Sequence, residues 1–180
     1  MEQYDSYLLQ ALATTGLIVA LDKKYKADNE YFNKIEFDNN SLKNIIKRSK
    51  ISNPATLQMF LYALLVAPYE MNKEHKLNIE FDKLNQYIKN HSCKFHSNYS
   101  YGNNEITYIK HLRNSISHSK CFYFKSDNKC FVTFSDQDNY NGRNWKCDFT
   151  MRTEDVGELL EEIQRIIFKY FKTKYPERCI

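Results

Sequence analysis

The sequence predicts a mainly helical bundle with a small antiparallel hairpin or sheet inserted before the last helix. Three observations predict it. Apolar residues recur at helical spacing along residues 4–26, 108–116 and 156–171. Between His118 and Thr153 the period drops from about 3.6 to 2, and it returns to helical spacing afterwards. Four Gly and three Pro in 180 residues are too few for a loop-rich or fibrous chain.

In order along the chain, residues 4–26 read as a long helix. Tyr4, Leu8, Leu12, Thr15, Val19 and Asp22 mark one side, and Leu9, Leu17, Ile18 and Leu21 widen it. Residues 27–40 are a polar, Asn-rich connection. Ser41 suits the cap of a short helix running to Lys47, with Leu42, Ile45 and Ile46 inward. Asn53-Pro54 is a capping residue followed by Pro at the first helical position. The helix it opens is apolar almost all round from Leu57 to Val66, which places it centrally, and Pro68 stops it. Residues 80–91 form a further helix, and 92–103 a Ser/Asn/Tyr-rich loop ending in Gly102.

Tyr108, Ile109, Leu112 and Ile116 then form the apolar stripe of a helix that reaches His118. Cys121–Lys125 and Cys130–Phe134 read as strands around a tight turn at 126–129. The stretch 136–144 reads as a polar loop. Trp145, Cys147, Phe149 and Met151 alternate with polar residues as a third, half-buried strand. Thr153 suits the cap of the last helix, where Glu154 and Asp155 meet its positive end. That helix carries Val156, Leu159, Leu160, Ile163, Ile166, Ile167, Tyr170 and Phe171 on one broad face. All strands are therefore expected after residue 115, antiparallel, within one domain spanning residues 1–180.

Hydrophobic residues make up 42% of the chain, enough for a sizeable core. A net charge of +4 fits an anionic partner without approaching a histone-like balance. The opening Met1-Glu2-Gln3-Tyr4-Asp5 is acidic where a secretory signal is positive. The near-apolar run from Leu57 to Ala67 is too short to span a bilayer. A cytoplasmic location with no membrane partner is the expectation. Cys93, Cys121, Cys130, Cys147 and Cys179 are odd in number and lack a C-x-x-C, so reduced thiols are expected.

The segment with chemistry in it is Arg113-Asn114-Ser115-Ile116-Ser117-His118. As a bare pattern R-x-x-x-x-H is common, and its plain alternative is an amphipathic helix end with Arg and His on the wet side. On a helix, Asn114 and His118 lie about 40° apart, and the long Arg113 can swing round to join them on one anion. His118 falls in the last turn, where the helix dipole favours an imidazolium. Histidine is the side chain suited to acid–base work on a phosphodiester near neutral pH, and Arg offers a planar fork for phosphate.

The run His111-Leu112-Arg113-Asn114-Ser115-Ile116-Ser117-His118 resembles the signature of HEPN domains. A helix ending in LRNSISH, the hairpin CFYFKSDNKCFVTF and a closing amphipathic helix are similar to the abortive-infection and plasmid-borne branch of that family, over roughly residues 40–175. The resemblance implies a HEPN-like helical bundle. It also implies a metal-independent endoribonuclease, with no cofactor, whose site forms at a homodimer interface from two motif copies. Arg113, Asn114 and His118 would then be the catalytic set and RNA the substrate. A toxin or antiphage-defence role would bring a neutralising partner such as an antitoxin. The alternative within the family is a non-catalytic module that binds a nucleotide, a nucleic acid or a protein. HEPN toxins paired with a nucleotidyltransferase resemble R-x-x-x-x-H-x-Y; Lys120 stands at that Tyr position here, so tyrosine adenylylation is not expected, and Tyr123 is off the pattern.

Other candidates carry less. His91, Cys93 and His96 form H-x-C-x-x-H but lack an evident fourth zinc ligand. Lys43, Lys47, Arg48 and Lys50 form a basic cluster, either a solvated face or a guide for RNA phosphates. Tyr99, Tyr101 and Tyr108 could stack bases or simply pack. Glu158, Glu161 and Glu162 read as a solvated face, with Arg165 placed to pair with Glu161.

Overall fold

The computed structural model describes residues 2–27, 29–68, 81–99, 106–140 and 143–177. Among these are seven α-helices, one π turn and a four-stranded antiparallel sheet. The helices are α1 (Gln3–Ala27), α2 (Asn29–Lys34), α3 (Asn40–Ser49), α4 (Pro54–Leu61, running into the π turn Tyr62–Val66), α5 (Phe81–His91), α6 (Tyr108–Ser117) and α7 (Thr153–Lys174). The strands are β1 (Lys94–Ser97), β2 (Cys121–Ser126), β3 (Lys129–Tyr140) and β4 (Arg143–Arg152), ordered β1-β4-β3-β2. No described helix is long and apolar enough to cross a membrane.

The sheet lays its inner face on the helices. Val132, Phe134, Cys147, Phe149 and Met151 point inward and are buried with Leu112 and Ile116 of α6 and Leu159, Ile163 and Ile167 of α7. Burying each such large side chain stabilises by roughly 1.5–3 kcal/mol, so this joint between sheet and α6 is a rigid support for the motif. The π turn packs behind α6 and brings Leu64, Leu65 and Val66 into the same core. The β2–β3 turn works because Asp127 and Asn128 take positive φ of 48° and 61°, the backbone of a type I′ hairpin, which Asp and Asn tolerate.

The structure corrects several sequence expectations. A strand does precede residue 115: Lys94–Ser97, within the expected loop, pairs with Thr150–Cys147 on the free edge of β4. Within the expected polar loop at 136–144, residues 136–140 and 143–144 are ladder instead, with Asp136 opposite Cys147, Asp138 opposite Trp145 and Asn139 opposite Asn144. Backbone pairing to an already anchored partner outweighs the poor strand propensity of Asp and Asn. The expected 27–40 connection contains α2. Asn39, not Ser41, caps α3 by accepting from the Ser41 N–H at 2.8 Å. Leu42 and Ile45 are 51% and 58% exposed rather than inward, and no residue of α3 is buried. Leu17 is likewise exposed on α1. Thr153 is the first residue of α7, not its cap; Arg152 holds the cap position without a side-chain cap bond and pairs with Asp155. Asn53 caps α4 as expected, accepting from the Thr56 N–H at 3.1 Å. Gly102, Tyr101 and Cys179 lie outside the described residues.

Two buried acids fasten α1. Asp22 accepts from the Ser52 N–H at 3.1 Å, the Ser52 hydroxyl and Lys26, which ties α1 to the turn before α4. Asp5 is fully buried and is clasped by the C-terminal part of the chain. Tyr170 donates to it at 2.9 Å, Tyr175 at 2.5 Å and Lys174 at 2.8 Å. Burial alone would raise its pKa, but the hydrogen bonds from Lys174, Tyr175 and Tyr170 prevail and hold it below the usual carboxylate range.

Candidate active site

Helix α6 is fixed from below by its stripe and from its end by its cap. Tyr108, Ile109, Leu112 and Ile116 are all buried. His118 is the C-cap, and its N–H donates to the Asn114 carbonyl at 3.0 Å. Ser119 follows with φ 54°. Its N–H donates to Ile116 at 3.1 Å, and the Lys120 N–H donates to Ser115 at 2.8 Å. This is a Schellman closure, and the Ser135 N–H donating to the Lys120 carbonyl at 3.0 Å locks it onto β3. His118 is thus held by backbone alone while its ring stands exposed. A Ser at a left-handed position carries a steric cost that Gly avoids. Ser119→Gly should therefore stabilise by about 0.5–1 kcal/mol, seen as a rise of roughly 1–4 °C in the thermal midpoint.

A chain of hydrogen bonds lies beneath the motif. Arg113 donates from Nη2 to Asn114 Oδ1 at 3.2 Å. Asn114 donates from Nδ2 to Asp136 Oδ2 at 3.1 Å. The same carboxylate oxygen accepts from His111 Nδ1 at 2.7 Å. His111 and Asp136 are 2% and 4% exposed, while Arg113 and Asn114 are half-buried. Burial would raise the Asp136 pKa, but the hydrogen bonds from His111 and Asn114, with the charges of His111 and Lys110, hold it below the usual range. The buried Ser115 hydroxyl donates to the His111 carbonyl at 2.7 Å. The Tyr99 ring packs 4.9 Å from His111 and stacks on Trp145. Burial, then the negative charges of Asp136 and Asp138, push its hydroxyl up to about 12.

Of the expected site residues, Arg113 and Asn114 are in direct contact, and His118 sits one turn further on. The arrangement orients a guanidinium and an amide from a buried carboxylate and presents an imidazole to solvent. Sequence reasoning missed His111 and Asp136. The signal for Asp136 was present: continuing the alternation Val132, Phe134 by two residues puts it on the buried face.

The other candidates sort differently. Tyr108 is buried against Phe95 and Phe149, so its ring is not open for stacking. His91, Cys93 and His96 do not converge; the group among the described residues with ligand atoms within 4.8 Å of one another is His91, Asp155 and Glu158. Arg152 occupies both Asp155 oxygens, at 2.8 and 2.6 Å, and the Tyr87 hydroxyl donates to Glu158 at 2.8 Å. That network closes the seam between α5 and α7. Lys43 donates to the Asn33 and Ile35 carbonyls, both at 2.8 Å, and so anchors α2 to α3. Arg165 pairs with Glu162 rather than Glu161.

No curated protein and no solved structure matches the chain. A family model described as HEPN pEK499 p136 matches residues 1–174, including residues 1–40, which the sequence resemblance does not cover. Since that match takes in both the motif helix and nearly the whole fold around it, the chain belongs to the HEPN pEK499 p136 family, a plasmid-borne HEPN family.

Proposed function

We infer that the protein is a metal-independent endoribonuclease that acts in the cytoplasm as a toxin or antiphage-defence effector. The observation that carries this reading is the hydrogen-bonded chain from His111 through Asp136 and Asn114 to Arg113, on a helix whose C-cap is the exposed His118. It aims a cation and leaves an acid–base group at one helix end.

One chain offers one Arg113 and one His118. Cleaving a phosphodiester through the neighbouring 2′-OH needs a base, an acid and charge stabilisation. A two-fold homodimer that apposes the two α6 ends supplies all three at one cleft. One His118 takes the 2′ proton as the 2′ oxygen bonds to phosphorus. The second copy's His118 gives a proton to the departing 5′ oxygen as its P–O bond breaks. Arg113 neutralises the charge gathered on the non-bridging oxygens, and Asn114 orients Arg113. The nucleophile belongs to the RNA, so this mechanism calls for no metal.

The test is cleavage of a fluorescent single-stranded RNA in EDTA. Products ending in a 2′,3′-cyclic phosphate, and resistance of the matching DNA, are expected. Activity lost in EDTA and restored by a divalent ion would overturn the mechanism. Absence of any cleavage, with RNA still bound, would favour a non-catalytic binding module.

A further inference from the structure

We propose that the solvent-facing side of the sheet is a platform for single-stranded RNA, on which Phe122 and Phe124 stack bases beside the candidate active site. The proposal draws on the ribonuclease reading only for the choice of RNA.

Alternate residues of a strand share a face, and the register separates the two faces. Phe122 opposes Thr133 and Phe124 opposes Phe131, all on the side away from the helices. Phe122 and Phe124 are 59% and 44% exposed, and Phe124 stacks on Phe131 with ring centroids 5.5 Å apart. Further across, Thr133 and Thr150 share a hydrogen bond at 2.8 Å, and Ser135 donates to Asp148 at 2.7 Å. Ser135 and Thr150 are buried within this network, so what the face offers a ligand is its bare aromatic rings.

β2 is an edge strand, and exposed rings on an edge invite association. Charge says with what. Lys146 is tied to Asp148 and Arg152 to Asp155. Lys94 and Lys129 are exposed on this face and make no ion pair among the described residues. A second copy docking by this face would set those cations against themselves, because a two-fold interface is self-complementary. A nucleic-acid strand sets phosphates against them.

Position agrees. Lys120 and then Phe122 follow directly from His118, and four extended residues span no more than about 14 Å. Phe122 and Phe124 repeat at about 6.6 Å, about twice the rise of stacked bases at 3.4 Å. That spacing suits splayed bases taken one per ring, the mode by which proteins hold single-stranded RNA.

The experiment measures fluorescence anisotropy of a labelled single-stranded 2′-O-methyl oligouridine with the full chain. This probe has no free 2′-OH, so binding is read apart from cleavage. Phe122→Ala and Phe124→Ala should each weaken binding roughly 5- to 150-fold, Phe122→Trp should retain it, and Lys129→Gln should lessen its salt dependence. Light scattering should show the same mass for every variant. Unchanged affinity in both Ala variants would overturn the platform. So would loss of affinity together with a halved mass, which would make the face an interface between copies. Binding through the rings without cleavage of the ordinary RNA would sink the ribonuclease reading and leave the platform standing. Cleavage with no effect of the rings on affinity would do the reverse.

Discussion

His118→Ala is expected to lower the rate of RNA cleavage by roughly 10²–10⁴, and Arg113→Ala by roughly 10²–10³, with the fold intact in both. The structure explains why chemistry and folding separate here. The cap that ends α6 is built from the backbone of Ser115, Ile116, Ser119 and Lys120, and His118 contributes its N–H, which Ala also has. Arg113 is half-buried and donates to Asn114, whose bond to Asp136 remains when Arg113 is truncated. Circular dichroism and the thermal midpoint should therefore stay near those of the parent while cleavage falls. Arg113→Lys keeps the charge but loses the planar fork, so it should recover part of the rate only. The double variant should be little worse than the poorer single one, because groups that act in one transition state are not additive. Cleavage surviving both single substitutions would place the chemistry elsewhere.

Asp136→Ala is expected to be the most destabilising change near the site, by roughly 2–5 kcal/mol. One oxygen of Asp136 serves both His111 and Asn114, and its loss strands two donors, one of them fully inside the core. The urea midpoint should fall with the slope unchanged. The acid range gives a second reading of the same bond. Because Asp136 is held below its ordinary pKa, its contribution is complete above the unfolded value of about 3.9. It fades as the pH falls through the folded value. The difference in stability between parent and Asp136→Ala should accordingly shrink below about pH 4. A difference that stays constant to pH 2 would rule out a native carboxylate bonded in this way. Asp136→Asn keeps the volume and one acceptor, so it should cost less stability; a larger proportional loss of cleavage than of stability would mark Asp136 as a positioning residue.

What the sequence disclosed and what it hid follow from the range of the forces involved. Helices α6 and α7 were legible because their stripes, Tyr108 to Ile116 and Val156 to Phe171, are local and strong. The Asp127-Asn128 turn was legible for the same reason. The rest of β3 beyond Asp136 was not, since Gln137, Asp138 and Asn139 have no strand character of their own and are held by β4. Four residues at Lys94–Ser97 gave no usable period either; their pairing comes from β4, about fifty positions on. Within the site, Arg113, Asn114 and His118 stood in one short motif. Their support did not, because His111 looks like one more polar residue until Asp136 is brought to it from 25 positions away.

The clasp on Asp5 has a consequence for how the chain is made. Its donors Tyr170 and Tyr175 lie 165 and 170 residues downstream. At about 5–20 residues per second, a ribosome emits them on the order of ten to thirty seconds after Asp5. Through that interval the first helix carries a carboxylate shaped for burial and must keep it in water. The Asp5 end of α1 is thereby left without its partners until Tyr170 and Tyr175 have emerged, whereas Asp22 at the other end meets Ser52 only 30 residues on.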